Sequence, residues 1–495
     1  MLFRSHTART QLSWLLGVPQ DQIVVNAHHI GGDFGGKGSL MDTPVAYYLA
    51  KASGRPVKIV MRYTEELQAA NPRNPGIITL RTGVMNDGRI VAHHARCVWN
   101  TGAYQAFLPA GWVPGGTEAA GNYLIPHVRL ENIGVYTNNV PRGHVRAPGS
   151  PQVTFAIESH IDIIARELGI DPWEMRMKNA IGEGEQSPTG EVMHDVFLKD
   201  TLQALKDASK WGSATPRPNM GRGLGIYNRH VGSGSSTQVI TVDRNGNVTL
   251  FTAAPDTGTG AHTILKQIVA EELNVSMERV GVTIVDTDGV KSDDGVGGSR
   301  VTNTHGNTAM LVAQATRASL VATAAELLGV PSDRVTVEVE RFSGGGKSAG
   351  FDEVARRAAS NAGGTLRHEV THDPGSTSGI ACFVVQMVEV EVDRETGQVK
   401  ITRVVSAHDV GTIINPIYHQ GQIDGGLAWG IGFGMTEELM LEEGRLLNPH
   451  LGDYKLPVTK DMPPLETVLV QHKAGPAPYN AKGIEIGRAS CRERV

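Results

Sequence analysis

The sequence predicts an α+β fold in more than one domain. Two recurring patterns and the chain length carry that reading. One unit, a helix end, a Gly or Asn cap, a short turn and a β-branched strand, occurs at 16–25, 273–282 and 328–337. Three stretches, 83–90, 243–248 and 393–399, place Asp-Gly, Asn-Gly or Thr-Gly between strand-like runs, as β-hairpins do. At 495 residues the chain exceeds what one hydrophobic core serves. Repeats of one unit at irregular spacing argue for related α+β layers and against a solenoid.

In chain order, a helix is expected over 6–16, followed by a strand at Ile23-Val24-Val25. Next comes Gly31-Gly32-Asp33-Phe34-Gly35-Gly36-Lys37, with four glycines in the seven residues. A helix follows over 41–50, with Pro44 in its first turn. Residues 150–168 carry apolar side chains at helical spacing and end at Gly169, and Asp171-Pro172 starts another helix. Residues 182–219 turn polar, with scattered Pro and Gly, and read as a linker. That divides the chain into domains at 6–215 and 216–484. Further helices are expected over 264–273, 307–328 and 427–435, and a flexible patch over 342–350, which contains Gly344-Gly345-Gly346.

The charge balance is mild, with 46 Lys+Arg against 51 Asp+Glu, so neither a nucleic-acid surface nor a polybasic membrane anchor is indicated. Cys97, Cys382 and Cys491 form no CxxC pair, so an iron–sulfur cluster or a disulfide framework is not expected on this chain. No apolar run reaches membrane-span length, and no signal peptide is visible at Met1. Both ends read as foreign. Residues 485–495 resemble a translated sequencing adapter, and residues 1–5 resemble its complement. On that reading only about 6–484 is natural.

Five glycine-rich or polar turns stand out. The first is the 31–37 stretch, which between strand and helix can point backbone N–H groups at an anion, or serve only as a tight turn. The second is Arg146-Ala147-Pro148-Gly149-Ser150-Pro151-Gln152, where an arginine can clamp an anion or make a surface ion pair. The third is Asp256-Thr257-Gly258-Thr259-Gly260-Ala261-His262-Thr263, whose hydroxyls suit phosphate or plain N-capping. The fourth is Gly297-Gly298-Ser299-Arg300-Val301-Thr302-Asn303, and the fifth Gln420-Gly421-Gln422-Ile423-Asp424-Gly425-Gly426, each read as preceding a helix. Several helix N-termini led by small or hydrogen-bonding residues suit a large, multiply anionic, amide-rich ligand. His28-His29 and His93-His94 lie on strand-like runs, where neighbours face opposite sides, so neither pair chelates well. No GxSxG, Walker or dinucleotide fingerprint is legible.

The order GGxFGGK, RxxGxPQ with a following Glu- and Asp-bearing helix, DxGxGxHT, GSRxT, NPxxxxGQxxGG and a late AKG resembles the molybdopterin-binding large subunit of the xanthine dehydrogenase and aldehyde oxidase family. It covers the chain from His6 to Gly483. The resemblance implies two elongated molybdopterin-binding domains and an oxidoreductase that hydroxylates an aldehyde or N-heterocycle. The metal is then held by the pterin's dithiolene sulfurs and by no protein side chain. Carried over by position, Phe34 and Gly35 are catalytic-site residues beside the molybdenum, with backbone N–H groups toward an oxo ligand, and Gly32 is a further cofactor-binding residue. Arg146 lies in the pocket. Gly258, Thr259, Gly260, Ser299 and Thr302 hold the pterin and its phosphates, and Gln422 hydrogen-bonds the pterin rings.

The resemblance also implies a cytosine dinucleotide form of the cofactor, oxygen drawn from water, and electrons leaving to 2Fe-2S and FAD groups on partner chains. An iron–sulfur subunit and an FAD subunit are thus the expected partners in a hetero-oligomer. A catalytic Glu is expected just beyond Ile484, where the adapter-like tail begins; Glu485, one position early, is not assigned, so the chain as written is expected to lack its base and to be an inactive fragment. The family's purine-oxidising members carry a Glu where this chain has Gly38, a Phe at Pro148 and an Arg at Pro114. Those departures point to a substrate other than xanthine. Thr259 stands where the family often has Gln. A paralogue that kept the fold and lost the base is the alternative to an enzyme. Localisation stays open between cytoplasm and periplasm.

Overall fold

The computed structural model describes residues 4–26, 28–38, 40–104, 115–213 and 217–483. Most of the two adapter-like ends, together with Pro114 and Cys491, lies outside them; Ser5 is buried as the first residue of the helix Ser5–Leu16. The fold is α+β. It forms two compact units interleaved along the chain, one of 1–33, 232–377 and 476–483, the other of 34–231, 378–475 and 484–495. The chain passes from the first of these units to the second between Asp33 and Phe34, inside the glycine stretch; the division at 6–215 and 216–484 is a division of the sequence into consecutive parts.

In the first unit, four strands form a sheet in the order Leu366–His372, Ser236–Val242, Val248–Thr252 and Val280–Ile284. The first two pairings are antiparallel and the last is parallel. The helix Val301–Leu328 packs across the strands Ser236–Val242 and Leu366–His372 and against the helix Ala261–Leu273. Asn274 and Gly329 close these two helices in the left-handed conformation, as the repeated unit predicts. The first copy departs from that pattern. Gly17 caps its helix, but among the described residues, 23–25 join no strand ladder: Ile23 N–H donates to Gln20 O, Val25 N–H to the side-chain Thr287 Oγ1, and Val25 O accepts from Thr287 N–H. The patch at 342–350 is ordered. Arg341–Gly344 and Lys347–Gly350 form a hairpin, because Gly345 and Gly346 supply positive φ at its turn while Phe342 and Ala349 are buried.

Among the described residues the second unit holds two larger sheets, besides the two-stranded pairing of Leu441–Glu442 with Arg445–Leu446. One orders Gly76–Val84, Ile90–Gly102 and His127–Tyr136, the other Leu465–Val470, Val399–Asp409, Ala381–Val392 and Met220–His230. The helix Ser150–Leu168 runs over the residues its apolar spacing predicts and buries Val153, Ile157, Ile161 and Ile164 on one face. Asp171 Oδ1 accepts from Trp173 and Glu174 N–H to start the helix Pro172–Asn179. The linker expectation for 182–219 fails. This stretch contains the helix Leu198–Ser209, whose Leu198, Leu202 and Leu205 are fully buried against the strands Ala381–Val392 and Val399–Asp409. Polar composition concealed it because only one stripe of that helix is apolar. Arg176 is buried between Glu158 and Asp162, with Nε 2.8 Å from Glu158 and Nη1 2.6 Å from Asp162. The acidic residues of the helix after the second motif are therefore structural.

Candidate cofactor site

In the first unit, three of the motifs converge. Ile30 N–H donates to Asp256 O at 3.0 Å, and Ile30 packs with Ala254, Val296 and Val301. These contacts set the leading glycines, Gly31 and Gly32, beside the 256–260 turn and the 296–301 segment. The Asp256 carboxylate accepts from Gly258 N–H at 2.8 Å and lies 3.2 Å from His29 Nδ1; the backbone bond, foremost, holds it below the usual carboxylate range. Gly258 and Gly260 take φ of 80° and 78°, and a side chain at Gly258 would meet no atom within 4 Å. That face of the turn is open. Thr259 lies beside Thr257, with the hydroxyls 3.5 Å apart. The helix Ala261–Leu273 then begins with no acidic residue in its first turn.

Gly297, Gly298 and Ser299 are three consecutive left-handed residues leading into the helix Val301–Leu328, whose first turn also carries no acid. Thr302 sits in that turn. Ser299 Oγ is buried without a hydrogen-bond partner. A hydroxyl so placed is costly unless a ligand completes it. Sequence reasoning missed the support beneath. His305, one helical turn on, is fully buried with Nε2 3.0 Å from Asp293 and Nδ1 3.0 Å from Thr304 Oγ1. Asp293 lies twelve residues upstream, beyond any local motif.

In the second unit, the rest of the glycine stretch meets the second and fifth motifs. Arg146 N–H donates to Phe34 O at 2.5 Å. Arg146 is nearly buried, and its Nη2 donates to Gln422 O at 3.3 Å and Oε1 at 3.4 Å. Phe34 at φ 52° and Ala147 at φ 54° are non-glycine residues in the left-handed region. Such outliers persist where the surroundings over-determine them, often at functional sites. Phe34 leaves 48% of its surface exposed, its ring 4.9 Å from that of Trp429.

The fifth motif is not a turn. Asn415 Oδ1 accepts from Tyr418 N–H and Pro416 follows, so the helix Pro416–Ile431 has already begun and Gln422 lies within it. The expected helix at 427–435 instead passes into a π-turn at Gly432–Thr436. Likewise the helix expected from 307 starts at Val301.

His93 is held between Thr82 Oγ1 and Ala119 O, while His94 faces the other side beside Glu131. Among the described residues no group of three or more His, Cys, Asp or Glu stands close enough to hold a metal ion. Cys97 and Cys382 are buried, and burial pushes the Cys97 thiol up to about 11. No described helix is long and apolar enough to cross a membrane.

Two interleaved α+β units, each bringing glycine turns and small polar groups together, suit a large anionic cofactor. Family models described as molybdopterin cofactor-binding domain match residues 200–463 and 4–180. The chain is 30% identical to a xanthine dehydrogenase molybdenum-binding subunit of Escherichia coli O157:H7 over 97% of this chain and 66% of that protein. It is 28% identical to an aldehyde oxidoreductase of Megalodesulfovibrio gigas over 95% of this chain and 51% of that one. The crystal structure of quinoline 2-oxidoreductase from Pseudomonas putida 86 superposes with a TM-score of 0.91 at 26% identity, over 99% of this chain and 67% of that one. The chain belongs to the molybdopterin-binding large subunits of the molybdenum hydroxylases, the xanthine dehydrogenase and aldehyde oxidoreductase family. It spans about two thirds of the Escherichia coli relative's length.

Proposed function

We propose that this chain is the molybdenum-cofactor-binding catalytic subunit of an oxidoreductase that hydroxylates an aldehyde or an N-heterocycle with oxygen from water. The observation that carries this reading is the double convergence of motifs, three in each unit. The residues present fit the cofactor. Ser299 Oγ is an orphaned buried hydroxyl, Gly258 presents an open backbone face, and two helix N-termini carry no competing carboxylate. In the first unit Gly258, Thr259, Gly260, Ser299 and Thr302 would hold pterin and phosphate groups, with Gly32 alongside. In the second, Phe34 and Gly35 would offer backbone N–H groups to the metal's ligand sphere, with Arg146 and Gln422 behind them. The molybdenum-pterin group supplies the two-electron redox chemistry when bound. The protein's share is to bind the group and fix its orientation.

The substrate is read as other than a purine. Gly38 and Pro148 offer neither a carboxylate nor an aromatic face at the positions where purine-oxidising members have them; Pro114, the third such position, lies outside the described residues. The catalytic base would be a Glu that the natural chain carries just past Ile484; Glu485 is not assigned that role. Electrons would pass to 2Fe-2S and FAD groups on partner chains, and the cytosine dinucleotide form of the pterin is the one proposed. The compartment proposed is the cytoplasm, with the periplasm as alternative. Metal and pterin analysis of the natural full-length chain, made in a host that assembles the cofactor, tests this. Equimolar molybdenum and pterin, with cytidine monophosphate released on hydrolysis, is the expected result. Protein free of both would overturn the reading, and a different nucleotide would overturn its dinucleotide part.

A further inference from the structure

Six contacts in the second unit close on themselves. The Phe34 ring lies 4.9 Å from Trp429, and Trp429 meets Phe433 edge-on at 5.6 Å. Phe433 carries the Arg73 guanidinium 4.6 Å over its face. Arg73 Nη1 donates to Ala147 O at 3.0 Å and Nη2 to Arg146 O at 2.8 Å. Arg146 N–H returns to Phe34 O at 2.5 Å. The circuit draws on four separate chain segments.

We propose that Arg73 and Trp429 are positioning residues, which close this ring and thereby hold Phe34 and Arg146 in the arrangement that faces the cofactor; the role rests on the molybdenum-cofactor reading above. The physical need is plain. Phe34 and Ala147 both lie in the left-handed region, which non-glycine residues leave unless neighbours hold them. The Arg73 fork bonds two successive carbonyls at Ala147, fixing that peptide, while its flat face stacks on Phe433. A lysine has no planar fork and cannot do both. Phe433 reaches Arg73 from the π-turn, a local widening of the helix that redirects side chains. Trp429, one helical turn earlier, meets the Phe34 ring in a tilted contact, so Phe34 is held at its backbone carbonyl and at its ring.

The test uses Arg73→Met, Arg73→Lys, Trp429→Ala, Trp429→Phe and the Arg73→Met/Trp429→Ala pair, in the full-length chain assembled with its partners. The first readout is denaturant unfolding of the cofactor-free chain. A closed ring makes the two losses non-additive by at least about threefold in the unfolding equilibrium constant. The second is the Mo(V) electron paramagnetic resonance spectrum of the loaded protein. It should change in Arg73→Met, Arg73→Lys and Trp429→Ala and stay near wild type in Trp429→Phe. kcat should fall by roughly ten- to a hundredfold with KM little changed. Additive unfolding losses, or a wild-type Mo(V) spectrum in the loaded variants, overturn the positioning role. Wild-type protein that takes up no molybdenum overturns the cofactor reading instead, and the unfolding cycle then decides the ring alone. Trp429→Leu and Arg73→Lys, each of which removes its contact in the ring, supply that cycle where a larger truncation fails to fold.

Discussion

Gly35 has little freedom at the candidate site. Its φ is 99°, and a Cβ there would stand 2.9 Å from both the Cβ and the carbonyl oxygen of His144. Conformation and space therefore exclude a side chain independently. Gly35→Ala should cost about 1–3 kcal/mol of stability. It should also separate Phe34 O from Arg146 N–H, because His144 and Arg146 move together. Urea unfolding and a variant structure check this; an unchanged midpoint would show that the segment yields. Glycine density made Gly35 and Phe34 legible in the sequence. Arg73 and Trp429 were not legible, because their partners come from distant segments and neither sits in a recognisable spacing. Gln422 was legible as a residue but not in its setting, a helix interior.

At the scale of elements, the strand Val399–Asp409 and the helix Pro416–Ile431 each bury a histidine, His408 and His419. Ser406 Oγ lies 2.7 Å from His408 Nε2, and neither ring nitrogen of His419 has a hydrogen-bond partner. Burial pushes the two imidazoles down to about 3 and about 4, with His419 adding to the shift of His408. Both are thus neutral when folded at neutral pH. The unfolded chain takes up protons below about pH 6.5 while the folded chain does not, so stability is complete above that pH and falls on acidification. The slope is about 1.4 kcal/mol per pH unit for each histidine until its folded value is reached. His419→Leu should flatten the fall between about pH 6.5 and 4 by one histidine's share. Denaturation midpoints against pH measure it, and an unchanged slope would mean that His419 is solvated or protonated in the folded state.

For the whole molecule, the interleaving of the two units governs what can fold alone. The core of the second unit includes Trp99, Val153 and Leu202 together with Phe383, Met387 and Val405 from the far end of the chain. A fragment of residues 1–215 lacks the strands Met220–His230, Ala381–Val392 and Val399–Asp409 against which its helices pack. Large apolar faces would stand open in it. It should show no cooperative thermal transition by circular dichroism, whereas the whole chain should. A sharp transition in the fragment would favour the consecutive division at residue 215.

The sequence by itself determined the α+β class, the hairpins, the capped helices and the glycine and hydroxyl turns, because each rests on interactions within a few residues. It also carried the family resemblance, through the order of loose motifs. Only the tertiary structure decided that residues 198–209 form a core helix and that residues 420–426 lie inside another, since burial and capping outweigh local composition. It alone showed that the glycine stretch splits at Asp33 and Phe34, with Ile30 just before it bonded to Asp256 and Phe34 bonded to Arg146. Contacts across more than a hundred residues leave no periodic trace in the chain, and backbone hydrogen bonding is indifferent to side-chain identity.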